Sequence, residues 1–228
     1  MNYKAIIFDM DGTIIDTEHI WMQAMQELIT SRGIDYKPGA NCPLAQQVRG
    51  LALNESCQII KDTFDFKDSV ADLVREKSNK AVSLYRNQLK FIDGFLNFHR
   101  QVIEKKLKNG IATNADDATV AVANSSLNLE RLFGNHIYGI SKVNNICKPN
   151  PAIYLYAAAQ LGIDPEDCIA IEDSEHGIRA AKSAGMFCIG INSSNNRHFI
   201  RESDYMIDTY QELDLDKILT KKHQGSLH

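Results

Sequence analysis

The sequence predicts an α/β fold in which a parallel sheet is covered by helices on both faces. After about residue 94, short apolar runs alternate with segments of helical periodicity, which is typical of parallel strands joined by helices. A long helical block, residues 17–89, follows the first apolar run and contains no strong strand pattern. We therefore expect a sheet that carries a helical insertion directly after its first strand.

The first predicted strand is Lys4–Asp9, an apolar run that ends in carboxylates and is followed by a turn at Gly12. The inserted block is rich in residues that favour helices, and Arg32-Gly33 is a plausible helix stop. Its later helices are predicted over Leu44–Phe64 and Lys67–Leu89.

The second half of the chain supplies the remaining layers. Its predicted helices are Phe95–Asn109, Asp116–Leu127, Pro151–Leu161 and Gly177–Ala184. Its predicted strands are Ile111–Thr113, His136–Gly139, Cys168–Ile171, Phe187–Ile191 and Tyr205–Ile207. Ligands of open parallel sheets bind at the carboxyl ends of the strands, so polar residues that follow these runs are the candidates for a site.

Composition narrows the function classes. The 228 residues are 44% hydrophobic and 24% charged, with a formal net charge of −4, and no basic stripe predicts a nucleic-acid partner. No apolar segment approaches the ~20 residues of a membrane helix. The five cysteines form no C-x-x-C pair, so we expect reduced thiols in a cytoplasmic protein.

The strongest chemical signal is Asp9-Met10-Asp11-Gly12-Thr13. Side chains alternate along a strand, so two carboxylates separated by one residue point to the same side. A surface β-turn rich in Asp and Gly would give the same pattern. This segment alone leaves both interpretations open.

Other polar groups fall where further strands should end: Thr113-Asn114, Glu172-Asp173 and Lys148. Each has an ordinary structural alternative: a turn, a helix cap or a solvated loop lysine. Their joint occurrence along one sheet edge makes these alternatives together improbable, and it predicts one site.

This set of residues suits phosphoryl transfer. Asp9, Asp11 and Asp173 offer the oxygen ligands that Mg²⁺ prefers. Asp9 can attack phosphorus, and Asp11 can protonate the leaving oxygen and then activate water. Thr113 and Lys148 can hold the phosphoryl group as its charge redistributes.

The chain resembles the haloacid dehalogenase-like superfamily, in its helical-cap branch that includes β-phosphoglucomutase-like and 2-deoxyglucose-6-phosphatase-like proteins. The resemblance spans nearly the whole chain. The matching motifs are Asp9–Thr13, Asp16–Glu18, Thr113-Asn114, Lys148–Pro151, Ile171–Ser174 with Gly177 and Ala180-Ala181, and Ala184–Met186.

The resemblance implies a three-layer Rossmann-like core, residues 1–16 and 90–228, with a helical cap at 17–89. It implies that Asp9 is the nucleophile and Asp11 the general acid and base. It also implies that Mg²⁺ is held by Asp9, the backbone carbonyl of Asp11, and Asp173, with Glu172 nearby in the outer shell of the metal.

Several functions share this scaffold. Family dehalogenases lack the second aspartate, so Asp11 argues against that activity. Family phosphonatases use a cap lysine, and composition leaves candidates at Lys61, Lys67, Lys77 and Lys80. β-Phosphoglucomutases carry a cap histidine near the place where Trp21 stands here, with His19 offset, which favours hydrolysis over mutase chemistry. A third hypothesis is a non-catalytic binding protein, which the intact set of acidic residues disfavours.

We therefore expect a Mg²⁺-dependent phosphatase for a small phosphorylated metabolite, with a sugar phosphate as the favoured class. Asn114, Glu18, Arg49 and Lys77 are the candidate substrate-binding residues, and for the last three a surface or helix-stabilising role is an equal alternative. We expect no nucleic-acid or membrane partner, and a monomer or a weak dimer.

Overall fold

The computed structural model describes residues 3–38, 42–48, 51–194 and 196–221, without the side chains of 86, 87 and 221. Its six strands are β1 Ala5–Phe8, β2 Lys108–Ala112, β3 Ile137–Tyr138, β4 Cys168–Glu172, β5 Phe187–Ile191 and β6 Tyr205–Ile207. Its helices are α1 Glu18–Thr30, α2 Pro43–Val48, α3 Leu53–Phe64, α4 Val70–Gln88, α5 Phe95–Glu104, α6 Asp117–Leu127, α7 Leu129–Phe133, α8 Ala152–Leu161, α9 Glu175–Ser183 and α10 Leu215–Lys221.

The six strands form one parallel sheet in the order β3-β2-β1-β4-β5-β6. The order reverses at β1, whose neighbours are β2 and β4. In such sheets a crevice opens at the carboxyl ends of the strands beside the reversal. The predicted α/β class with a Rossmann-like parallel sheet is confirmed.

Helices cover both faces of this sheet because side chains alternate along each strand. Ala5 and Ile7 of β1 belong to a buried cluster that includes residues of α8 and α9. Phe8 points to the opposite face, where its ring meets Phe95 of α5 and Phe133 of α7. β1 is therefore buried on both sides, as its continuous apolar sequence predicts.

Backbone contacts divide the chain into two compact units, Met1–Asp16 with Lys90–His228, and Thr17–Leu89. Among its described residues, the second unit contains only helices, α1 to α4. Its core collects apolar residues from α1, α2, α3 and α4 together with Phe66. Arg32 binds within this unit to Asp68 and Glu76, at 2.8 and 2.9 Å.

The two ends of this insertion leave the first unit side by side. The backbone N–H of Asp16 donates to the carbonyl oxygen of Lys90 at 3.0 Å, and the two side chains form an ion pair, also at 3.0 Å. One residue further on each side, Ile15 and Phe91 form an antiparallel bridge.

Some element bounds differ from those predicted. The predicted helix Phe95–Asn109 ends at Glu104, and β2 begins at Lys108. Lys106 adopts a left-handed φ of 57°, which no periodicity reveals and which stops the helix. The predicted helix Leu44–Phe64 is two helices, because Ala52 is extended, with ψ at 150°.

No helix in the described part of the chain combines the length and the apolar character needed to cross a membrane.

Candidate active site

The candidate site lies at the carboxyl edge of the three central strands. Asp9 directly follows β1, Thr113 directly follows β2, and Glu172 ends β4 with Asp173 next to it. All four are buried, with exposed fractions from 0% to 8%. The strand order therefore brings together side chains that are as far as 164 positions apart in the sequence (173 − 9).

The loop after β1 folds tightly over this edge. The backbone N–H groups of Ile14 and Ile15 both donate to the carbonyl oxygen of Met10 at 3.0 Å. Gly12 has a φ of 80°, and a Cβ placed on it would lie 2.3 Å from Asp173 Oδ2. Only glycine fits here, because the backbone is left-handed and the carboxylate occupies the space where a side chain would begin.

Lys148 lies at the centre of the site. Its ammonium group donates to Asp9 Oδ1 at 2.6 Å, to Glu172 Oε1 at 2.7 Å and to the carbonyl oxygen of Ala112 at 2.8 Å. Burial opposes the charge on Lys148, but Asp9 and Glu172 outweigh it and raise the pKa above its ordinary value. The group is therefore a fixed cation beside Asp9.

Glu172 is completely buried and both of its oxygens accept hydrogen bonds. Oε1 accepts from Lys148 Nζ and from the hydroxyl of Tyr154, the latter at 2.8 Å. Oε2 accepts from the backbone N–H groups of Asp173 and Ser174, at 3.2 and 3.3 Å, and from Ser174 Oγ at 3.1 Å. These bonds fit Glu172 to a supporting role in the site.

The acidic residues form a cluster that fits a small divalent cation. Asp9, Glu172 and Asp173 each offer an oxygen, and these three atoms lie within 4.8 Å of one another. Burial, against the influence of Lys148, raises the pKa of Asp9 well above its usual range. The single ammonium of Lys148 does not balance three buried carboxylates, and hard oxygen donors suit Mg²⁺. The carboxylate of Asp11 is not part of this cluster.

Thr113 and Asn114 lie at the end of β2 beside Lys148. The hydroxyl oxygen of Thr113 accepts from the backbone N–H of Ala115 at 3.1 Å. The side-chain oxygen of Asn114 accepts from the backbone N–H of Lys148 at 3.0 Å, so this amide fixes the lysine loop. Its predicted contact with substrate stays a prediction.

The remaining predicted site residues belong to the helical unit, 17–89. Glu18 is the first residue of α1. Lys77 is buried, donates to Ser56 Oγ at 3.1 Å and lies 5.8 Å from the centre of the Trp21 ring. Burial lowers the pKa of Lys77. Arg49 lies outside the described residues.

The other candidate lysines of residues 17–89 have partners inside that unit. Lys61 donates to the carbonyl oxygens of Phe66 and Asp68, at 2.7 and 2.6 Å. Lys67 pairs with Asp65 at 2.7 Å, and Lys80 pairs with Glu76 at 3.7 Å. Of the four lysines, only Lys77 combines burial with the absence of a carboxylate within ion-pair distance among the described residues.

Sequence reasoning missed two side chains of the site. Thr13 Oγ1 donates to Asp173 Oδ1 at 3.4 Å, whereas the sequence shows Thr13 only as the end of the first motif. Tyr154 contacts both Glu172 and Lys148 from α8. That helix is apolar on nearly every side, so its periodicity does not show that Tyr154, and not Tyr156, faces the site.

Known proteins resemble most of this chain in sequence. The sequence profile of haloacid dehalogenase-like hydrolases matches residues 6–191. A phosphorylated carbohydrates phosphatase of Thermotoga maritima is 30% identical, over 80% of this chain and 82% of that protein. A β-phosphoglucomutase of Bacillus subtilis is 29% identical, over 82% of this chain and 83% of that protein.

A solved structure shows the same architecture. The crystal structure of a β-phosphoglucomutase from Clostridium difficile superposes with a TM-score of 0.80 and 26% identity, over 97% of this chain and 98% of that chain.

Proposed function

This chain belongs to the haloacid dehalogenase-like hydrolases, in the β-phosphoglucomutase-like branch, and we propose that it is a Mg²⁺-dependent sugar-phosphate phosphatase that works through an aspartyl-phosphate on Asp9. Its enzyme class is phosphoric monoester hydrolase, as its relatives indicate. The observation that carries the proposal is the convergence of Asp9, Asp173 and Lys148 in one buried site.

Asp9 is the proposed nucleophile. One of its carboxylate oxygens forms a bond to phosphorus while the ester P–O bond breaks, and the departing alcohol oxygen takes a proton from Asp11. The Lys148 ammonium, 2.6 Å from Asp9 Oδ1, reduces the repulsion between the carboxylate and the phosphoryl group. Thr113 stands between Ala112 and Asn114, which both bind Lys148, and its hydroxyl hydrogen is the proposed donor to a phosphoryl oxygen.

The second step returns the enzyme to its starting state. Asp11, now ionised, takes a proton from water, and the water oxygen attacks phosphorus and releases Asp9. Mg²⁺ held by Asp9, the Asp11 carbonyl and Asp173 would neutralise negative charge on the phosphoryl oxygens. Glu172 accepts a hydrogen bond from the Lys148 ammonium and thereby orients it.

The experiment is a phosphate-release assay on a panel of sugar phosphates, with Mg²⁺ and with EDTA. We expect activity that requires Mg²⁺, and Asp9→Asn should lower kcat by more than about 1,000-fold, since a nucleophile is lost. Asp35→Asn is the control, because Asp35 is exposed and far from β1 in the sequence. Wild-type turnover in Asp9→Asn would remove the nucleophile assignment.

Mutase chemistry is the second candidate, because two β-phosphoglucomutases are among the relatives. Phosphorus NMR of the same reactions separates the two activities. Free phosphate supports hydrolysis, and an isomerised sugar phosphate supports a mutase.

Several expectations from the sequence stay predictions. They are the substrate-binding roles of Glu18, Arg49 and Lys77, the cap role of residues 17–89, the cytoplasmic location, and the monomer or weak dimer.

A further inference from the structure

Tyr154 is a buried side chain to which the phosphatase scheme gives no task. It is the third residue of α8 and has no solvent exposure. Its hydroxyl donates to Glu172 Oε1 at 2.8 Å and lies 3.4 Å from Lys148 Nζ. The centre of its ring lies 4.8 Å from the same ammonium nitrogen. Tyr154 therefore contacts the central cation and its carboxylate partner at once.

The Lys148 ammonium does not need Tyr154 as a hydrogen-bond acceptor. An ammonium has three protons, and Asp9, Glu172 and the Ala112 carbonyl already accept them. The useful bond of Tyr154 is instead the one that it donates to Glu172. The tyrosine hydroxyl lies 2.8 Å from Glu172 Oε1, and a carboxylate oxygen only accepts, so the hydroxyl acts as the donor.

Two donors thus share one acceptor atom, Glu172 Oε1. The tyrosine proton satisfies part of the negative charge on this oxygen, so the oxygen attracts Lys148 less strongly than a carboxylate with no second donor would. The other oxygen of Glu172 accepts three hydrogen bonds from Asp173 and Ser174, just before α9, and these bonds hold it in place. The tyrosine hydroxyl therefore sets how Lys148 is shared between Glu172 and Asp9.

The sharing of the Lys148 ammonium between Glu172 and Asp9 matters during the chemical step, when negative charge on Asp9 changes. As Asp9 bonds to phosphorus, its own charge falls and the charge on the phosphoryl oxygens must be stabilised. The ammonium then has to favour the phosphoryl group over Glu172. Without the tyrosine hydroxyl, Glu172 would hold Lys148 more tightly at that moment, and the transition state would lose stabilisation more than the bound substrate does.

We propose that Tyr154 is a positioning residue, which tunes the Lys148 ammonium for phosphoryl transfer through its hydrogen bond to Glu172. The inference rests on the proposed phosphatase function and adds to it a residue that makes no contact with the reacting atoms. A merely structural tyrosine would affect folding stability and leave the chemical step unchanged.

The test compares the full-length wild type with Tyr154→Phe and Tyr156→Phe. Tyr154→Phe keeps the buried ring and removes only the hydroxyl. Tyr156 is the matched control, since it lies on the same helix and packs edge-on against Tyr138. The measurements are kcat and KM for an aryl phosphate with Mg²⁺, inhibition by orthovanadate as a mimic of the transferring phosphoryl group, and the thermal midpoint.

We expect Tyr154→Phe to lower kcat by about 10-fold, the scale of one hydrogen bond to a charged group, with KM within about twofold of wild type. Orthovanadate should bind the variant more weakly by a similar factor. Tyr156→Phe should match the wild type in kcat and in orthovanadate inhibition.

Three results would overturn the inference alone while the wild type remains active. They are an unchanged kcat in Tyr154→Phe, an equal loss in Tyr156→Phe, and a lower thermal midpoint with normal kcat and normal vanadate inhibition. A wild type that hydrolyses no phosphate ester would instead overturn the proposed function, and the inference with it.

Discussion

At the scale of single residues, the site depends on polar side chains that are buried at the edge of the sheet. Asp9, Glu172 and Asp173 are buried close to one another, and the Lys148 ammonium pairs with the first two. Each buried carboxylate must be hydrogen-bonded, paired or bound to a cation. Their meeting follows from the sequence, because each residue ends or follows an apolar run. The contact of Tyr154 with Glu172 does not, because it depends on the rotation of α8 about its axis.

Gly12 offers a direct test of how closely the first loop must approach Asp173. Gly12→Ala should lose about 1–2 kcal/mol of stability from its left-handed backbone and should also lose Mg²⁺-dependent activity, because a Cβ would displace Asp173. Gly185→Ala is the matched control, since Gly185 has a φ of 83° and nothing within 4 Å of a built Cβ. Chemical denaturation and phosphate release measure the two effects.

If both glycine variants lost activity equally, backbone strain would be the cause, and the contact with Asp173 would not matter.

His99 predicts how stability depends on pH. It is buried among Phe8, Phe95 and Phe133, its Nε2 lies 3.2 Å from Asn109 Oδ1, and burial lowers its pKa. Because the pKa of His99 is lower in the folded chain than in the unfolded chain, the unfolded chain takes up the proton more readily. The contribution of His99 to stability is therefore complete above the unfolded pKa of about 6.5 and is lost as the pH drops below it.

The thermal midpoint should therefore decrease as the pH is lowered from 7.5 to 5.5. His99→Gln should show a smaller decrease. His198→Gln, at an exposed histidine, should behave like the wild type. An identical pH dependence in His99→Gln and the wild type would contradict the assignment to His99.

At the scale of elements, strands were easier to predict than helix ends. β1, β4 and β5 follow from apolar runs, because a strand buried on both faces needs a continuous apolar sequence. β2 begins at Lys108, three residues before the apolar run that predicted it, because its first two residues are not buried. The break between α2 and α3 and the end of α5 depend on single backbone conformations at Ala52 and Lys106. Hydrophobic periodicity does not report those conformations.

The start of α9 joins a helix cap to the site. Ser174 Oγ accepts from the backbone N–H of Gly177 at 3.1 Å and donates to Glu172 Oε2 at the same distance. Ser174→Ala should therefore cost about 1 kcal/mol of stability and should also lower kcat, since Glu172 loses a donor. Ser69→Ala is the control, because Ser69 Oγ caps α4 by accepting from the backbone N–H of Asp72 within residues 17–89.

Denaturant unfolding and kcat, measured on both serine variants, separate the two contributions. Equal kcat in Ser174→Ala and Ser69→Ala would show that the bond to Glu172 does not matter for turnover.

At the scale of the whole molecule, the reversal of strand order at β1 determines where the charges collect. The order was not readable from the sequence, because it depends on which strands pair and not on what each strand contains. The α/β class and the edge that bears the site were predictable, since any parallel arrangement places the ends of these strands on the same side.

Cation binding should stabilise the fold as a whole. Mg²⁺ at about 100 times its dissociation constant should add about 2.7 kcal/mol, and for a chain of this size that corresponds to a rise of about 5–10 °C in the thermal midpoint. EDTA should abolish the rise, and Asp173→Asn should show little of it. A full rise in Asp173→Asn would place the cation elsewhere.

The paired stems at Asp16 and Lys90 have an evolutionary consequence. When the two ends of an insertion are neighbours, the inserted segment can be lengthened, shortened or exchanged without changing the order of the strands. Selection can then diversify the helical portion by recombination while the catalytic groups on the sheet stay in place. The same machinery for breaking a phosphate ester thereby becomes available to lineages that encounter different metabolites.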